Sequence, residues 1–191
     1  MNMPTRAEQL CAFFPLLLPT VQKLNSAGIT YAIGGSACLF VLGNHRTPGD
    51  VDIQVPDDMH DAADAAFGIT SYWYQSAQEH VRNSNPHGDH ALQFTSALTI
   101  TVEGKQYHLA LDENMLTHAL VAQVQEEQLR FFPPEDVLLV KALLQRGPEV
   151  EKNDVEDIKN FIKIYPQLDR TYLKSRVRLL DATERVKGVL I

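Results

Sequence analysis

The residues best equipped for chemistry lie between Tyr31 and Val55, in the run YAIGGSACLFVLGNHRTPGDVDIQV. The apolar stretch Ile29 to Ile33 reads as a strand that turns at Gly34-Gly35-Ser36 into a short helix, Ser36 to Leu42. Such a turn offers free backbone amides and a hydroxyl, a combination that favours phosphate. Fourteen residues past Ser36 stands Asp50, followed by Val51-Asp52-Ile53-Gln54-Val55 with strand alternation. Side chains two apart on a strand share a face, so Asp50 and Asp52 project to one side while Val51 and Ile53 point to the other. Two neighbouring carboxylates repel unless a cation lies between them, and for hard oxygen ligands that cation is Mg2+ or Mn2+. Beside a phosphate-holding turn, the pair reads as a nucleoside triphosphate site set up for in-line phosphoryl displacement.

The surrounding elements must hold these groups in place. Thr5-Arg6-Ala7-Glu8 has the capping-box pattern and predicts a helix start, with Pro15 and Pro19 giving a kink or two short helices ending near Gly28. Asp58 to Phe67 reads as an acidic amphipathic helix stopped by Gly68. From Tyr72 to Leu111 the pattern is β-like and antiparallel, clearest at Leu92 to Phe94, Leu98 to Val102 and Tyr107 to Leu111, with Glu103-Gly104-Lys105 as a hairpin turn. Leu129 to Phe132 reads as one more edge strand. Beyond Pro133 three helices are expected: Glu135 to Gln145, Asp154 to Ile164, and Leu168 to about Val186. The fold class is α/β of the α+β type, a mixed sheet flanked by helices, with residues 1–132 as the core and 133–191 as a helical portion packed on it.

The pattern resembles the nucleotidyltransferase superfamily that shares the polymerase β palm, where Gly-Gly or Gly-Ser ends one strand and Asp-x-Asp lies on the next. Gly34, Gly35, Ser36, Asp50 and Asp52 carry the resemblance. Within it the chain looks most like small stand-alone members related to abortive-infection toxins, whose arginine four residues before the first aspartate corresponds to Arg46. Pro134-Glu135-Asp136, Lys141, Arg146-Gly147 and Lys152-Asn153-Asp154-Val155-Glu156-Asp157 follow in that group's order. The resemblance implies that Asp50 and Asp52 coordinate Mg2+ or Mn2+, that Gly34, Gly35 and Ser36 hold the triphosphate, and that Arg46, Lys141 and Asp154 serve the nucleotide. Arg46 either meets a phosphate or pairs with Asp50. Asp154 and Asp157 also suit a helix start by charge alone. The family's third carboxylate, its candidate base, is missing from the strand taken as equivalent, Tyr107 to Leu111. His108 stands there, either as a base titrating near neutrality or as an inert edge residue.

Composition narrows the partners. The chain has 191 residues, enough for one compact domain, and 24 acidic against 17 basic side chains, which disfavours general nucleic-acid binding. Basic residues gather at the C-terminal end: Arg170, Lys174, Arg176, Arg178, Arg185 and Lys187 against Asp181 and Glu184. Cys11 and Cys38 lack metal-ligand spacing, and His87-Gly88-Asp89-His90 reads as a polar loop. With no apolar run of membrane length and no leader pattern, a cytoplasmic protein without membrane contact is expected. Metal-dependent transfer of a nucleoside monophosphate from a nucleoside triphosphate to RNA, a protein or an aminoglycoside-like small molecule is the expected activity. The alternative is a catalytically degenerate member that binds a nucleotide or partner.

Overall fold

A computed structural model describes residues 2–150 and 152–191. Asn2, rather than Thr5, caps the first helix, α1 (Met3–Phe13), accepting the Thr5 amide at 3.1 Å. Asparagine caps as well as threonine, and it sits a turn earlier. The prolines give two helices, because α2 (Leu17–Ser26) begins anew after Pro15 and carries Pro19 in its first turn, where no amide donor is needed. The chain then forms β1 (Ala32–Ile33), shorter than its apolar run, followed by α3 (Gly35–Val41) and β2 (Val51–Gln54). Helix α4 (His60–Phe67) stops at Gly68, whose φ of 65° is left-handed.

The strands β3 (Tyr72–Gln75), β4 (Glu79–Ser84), β5 (Leu92–Val102) and β6 (Lys105–Leu109) pair antiparallel in sequence order. Then α5 (Glu113–His118) leads to the hairpin β7 (Leu120–Val124) and β8 (Glu127–Phe131). The sheet order is β3-β4-β5-β2-β1-β8-β7, with β6 beside β5. The edge assignment for Leu129 to Phe132 is therefore corrected: β8 lies inside, parallel to β1, and β7 takes the edge. Leu129 and Phe131 are fully buried, as an interior strand requires.

Four helices complete the chain: α6 (Pro134–Leu144), α7 (Asp154–Ile164), α8 (Arg170–Leu179) and α9 (Thr183–Val186). The single helix expected from Leu168 to Val186 breaks at Asp181, which takes a left-handed φ of 51°. Helix α6 is apolar nearly all round and buried nearly throughout, because it lies between the sheet and the other C-terminal helices. Ile33, Ile53, Phe94 and Phe131 of the sheet thus share one core with Leu139, Phe161 and Val177 of the helices.

One strand decides what stands beside the Asp-x-Asp segment. Strand β5, eleven residues long where two strands are expected, bends at Ala97, whose φ is 50° and whose amide donates to Asp57 Oδ1 at 2.8 Å. Before the bend it runs parallel to β2, placing Gln93 opposite Asp52 and Thr95 opposite Gln54; beyond it, it pairs with β6. The neighbour of β2 is therefore the first half of β5, and the equivalence assigned to Tyr107 to Leu111 is corrected. On the opposite face His60 is fully buried, with Nδ1 2.7 Å from Ser96 Oγ and Nε2 3.2 Å from Ser84 Oγ, tying α4 to β4 and β5.

Helices α6 and α7 are joined by charge. Lys141 Nζ donates to Asp154 Oδ1 at 3.0 Å and Asp157 Oδ2 at 2.8 Å, and Arg146 Nε donates to Asp154 Oδ2 at 2.9 Å. Burial opposes ionisation of Asp154, yet its bonds from Arg146 and the Lys141 charge hold the carboxyl below the usual 3.8. Asp154→Asn should cost about 3 kcal/mol in urea unfolding at pH 7, since two cations lose their shared partner. A carboxyl with a lowered folded value stabilises above its unfolded value, so this cost should shrink as pH falls through 3.8 and below. Burial likewise pushes His60 below 6.5, so the unfolded chain takes up the proton first. Wild-type stability relative to His60→Gln should accordingly decline between pH 7.5 and pH 5 in parallel unfolding curves.

Candidate active site

The turn after β1 is built around Asp52. The Gly34 amide donates to the Asp52 carbonyl at 2.9 Å, binding the two strands at their ends. Gly35 has a left-handed φ of 58°, and a Cβ there would lie 2.9 Å from Asp52 Oδ2. Glycine is required at that position twice over, by backbone conformation and by the approaching carboxylate. The first bond of α3 runs from the Cys38 amide to the Gly34 carbonyl, which leaves the Gly35 and Ser36 amides outside the helical ladder.

These groups open into a cleft of about 470 Å3 above β2, β5, β4 and β3. Gly34, Gly35, Ser36, Arg46, Asp50, Asp52 and Lys141 all line it. Burial first, and the Asp50 charge second, push the Asp52 carboxyl up to about 6. No ion pair to Asp50 or Asp52 occurs among the described residues, although the wall holds several cations. Those cations are already engaged: Arg46 pairs with Asp157 at 3.2 Å rather than with Asp50, Lys141 with Asp154 and Asp157, and Arg146 with Asp154 and, at 2.9 Å, with Glu79. Lys152 lines the cleft and acts on Asp52 through its charge.

Two residues of the expected set stand elsewhere. His108 is exposed on β6, its Nδ1 3.0 Å from Thr99 Oγ1, and does not line the cleft. Asp154 is fully buried behind the wall, where its oxygens serve Lys141 and Arg146. Conversely, the cleft includes Tyr72, Tyr74, Glu79, Asn83, His90, Gln93, Arg146 and Lys152, outside the expected site set. Arg146 and Lys152 did stand in the quoted downstream motif. The others, apart from His90 in the loop before β5, arrive through strand register, which no local spacing announces. On β5 the place beside Asp52 is held by Gln93, whose Nε2 lies 3.2 Å from His90 Nδ1.

The donor set suits a hard divalent cation. Among the described residues no three His, Cys, Asp or Glu side chains form a metal-binding group. Asp50 and Asp52 alone match Mg2+, which takes one or two carboxylates and completes its shell with water and phosphate oxygens. The half-buried charge at Asp52, without a direct ion-pair partner among the described residues, fits that role.

The C-terminal basic residues are partly spent on the fold. Arg176 is 2% exposed and donates to Asp136 and Asp112, each at 2.7 Å, while Arg185 donates to the Leu143 carbonyl at 2.9 Å. His87 of the polar loop meets Thr20 Oγ1 at 2.7 Å. Among the described residues no helix is long and apolar enough to cross a membrane.

The fold is similar to those of solved structures. A candidate nucleotidyltransferase from Thermotoga maritima, TM1012, aligns with a TM-score of 0.56 at 12% identity over 73% of this chain and 89% of that one. The structure of ANT(2'')-Ia in complex with adenylyl-2''-tobramycin aligns with a TM-score of 0.54 at 13% identity, over 89% and 97%. At these identities the likeness concerns the fold. No curated protein matches the sequence. A family model described as nucleotidyl transferase of unknown function (DUF2204) matches residues 14–188, nearly the whole chain, so the protein belongs to that nucleotidyltransferase family.

Proposed function

We propose that this nucleotidyltransferase moves a nucleoside monophosphate from a nucleoside triphosphate to a hydroxyl acceptor and depends on Mg2+ or Mn2+. The observation that carries the reading is the Asp50–Asp52 pair, which has no direct ion-pair partner among the described residues and faces the same cleft as the Gly34-Gly35-Ser36 turn. Asp50 and Asp52 would hold the metal, which neutralises charge on the reacting phosphate and aligns it with the acceptor. The Gly35 and Ser36 amides and the Ser36 hydroxyl receive the terminal phosphates. Lys152 supplies positive charge to them, since Lys141 and Arg146 are bound to carboxylates and act by holding the wall in place.

In the transfer the acceptor oxygen bonds to the α-phosphorus, the bond to the bridging oxygen breaks, and pyrophosphate leaves on the Ser36 side. The acceptor's proton needs a base, and His90 is the one imidazole lining the cleft among the described residues. Its Nδ1 accepts from Gln93 Nε2, beside Asp52, so the neutral ring carries its proton on Nε2, and Nδ1 takes the acceptor's proton once that bond gives way to the acceptor hydroxyl. An imidazole serves as a base near neutral pH. His108 is left outside this scheme because it does not reach the cleft. Binding without transfer is the second reading, favoured by Gln93 standing beside Asp52 where a carboxylate would complete the set.

Asp52 gives a test that separates stability from activity. Its folded value, about 6, lies above the ordinary 3.8, so its contribution is lost as pH rises through 6 and the ionised form destabilises the metal-free protein. Asp52→Asn should therefore raise the unfolding free energy at pH 8 by up to about 3 kcal/mol, with no gain below pH 4. Mg2+ should raise the melting temperature of the wild type and leave that of the variant unchanged. Pyrophosphate release from a nucleoside triphosphate should be lost in the same variant. A variant that is less stable at pH 8, or that still responds to Mg2+, would contradict the site.

A further inference from the structure

The cleft continues past the carboxylates to a part that the triphosphate does not use. Sheet register lays a single row of side chains across four strands: Gln54 opposite Thr95, Thr95 opposite Asn83, and Asn83 opposite Tyr72. All four line the cleft. The row lies two residues along from the Asp52–Gln93 pair, about 7 Å away in strand rise. Tyr74 lines the cleft two residues after Tyr72, and these two rings are 45% and 40% exposed respectively. Asn83 is different, being only 6% exposed, and its Oδ1 has no hydrogen-bond partner among the described residues. A buried amide oxygen without a partner marks a place where an O–H or N–H donor belongs.

In-line displacement decides whose donor it is. The leaving pyrophosphate lies toward Gly35 and Ser36, over β1 and α3, so the attacking oxygen must come from the opposite side of the phosphorus. In the sheet order β1 and β5 flank β2 on its two sides, and β4 and β3 follow β5. The acceptor therefore sits over β5, β4 and β3. Charge there is scarce: among the described residues Glu79 is the carboxylate at that end, and it is bonded to Arg146 at 2.9 Å.

We infer that Tyr72, Tyr74, Asn83 and Thr95 form the acceptor seat, and that the acceptor is an uncharged ring bearing O–H or N–H donors, as in a nucleoside or a neutral sugar. The tyrosine faces cover the ring, and Asn83, whose Oδ1 is closed off in this structure, accepts its donor once the amide turns its oxygen to the cleft. Among the described residues a polycation finds no free carboxylate on this ledge. The inference rests on the transferase reading above.

Saturation-transfer NMR tests it, with wild-type protein holding Mg2+ and a non-hydrolysable ATP analogue, and with uridine, maltose and tobramycin as separate probes. Uridine or maltose should bind, the responding probe distinguishing base from sugar chemistry. Affinity for that probe should fall at least tenfold in Tyr72→Ala/Tyr74→Ala, whose exposed positions spare the fold, and in Asn83→Leu. Affinity for the ATP analogue should stay within twofold in all variants. Binding of tobramycin alone, no binding of either neutral probe, or weakened analogue binding in the tyrosine variant would overturn the acceptor seat; the last result would give the rings to the donor's base. Failure of the wild type to bind the analogue at all would instead overturn the transferase reading, and the acceptor seat with it.

Discussion

Negative charge at Asp52 is the constraint around which the site is arranged. Burial and the adjacent Asp50 make its ionisation costly, and the protein supplies no direct cationic partner among the described residues. Gly35 takes a left-handed conformation and forgoes a side chain to let the carboxylate approach the Gly34-Gly35-Ser36 turn. The short strand β1 and the turn at Gly34 are pinned to Asp52 by a backbone bond, which holds the free amides of the turn beside the carboxylate. Such a place is unfavourable for an empty fold and favourable for a divalent cation carrying phosphate oxygens.

The helical C-terminal portion keeps its bonded cations from pairing directly with that charge. Its cations form a chain from β4 to the loop before β2: Glu79, Arg146, Asp154, Lys141, Asp157, Arg46, each bonded to the next. Three cations and three carboxylates cancel within the chain, which fixes α7 against α6 and walls the cleft without quenching the aspartate pair. Lys152 remains to act on the cleft. The same helices bury Arg176 against Asp136 and Asp112, so charge that reads in sequence as a basic surface is in part interior scaffolding.

Local patterns in the sequence carried the site's centre. Strand alternation put Asp50 and Asp52 on one face, and the Gly-Gly-Ser turn, the proline breaks, Gly68 and the Glu103-Gly104 hairpin are all short-range features. What escaped was long-range. Nothing near His108 says that β5 bends at Ala97 and takes β6 away from β2, and nothing near Gln93 says that it lies opposite Asp52. Asp154 has the composition of a helix start facing solvent, yet tertiary packing buries it beside two cations. Tyr72 and Asn83 join the cleft only through antiparallel register across two hairpins. Strand β8 likewise shows its interior place only when β1 is set beside it.

Calorimetric titration with a non-hydrolysable nucleoside triphosphate, with and without Mg2+, tests the central claim most directly. Wild-type protein should release binding heat only when Mg2+ is present, and Asp50→Asn/Asp52→Asn should release none under either condition. Equal binding by wild type and variant, or no binding by the wild type with Mg2+, would contradict a metal–triphosphate site at Asp50 and Asp52.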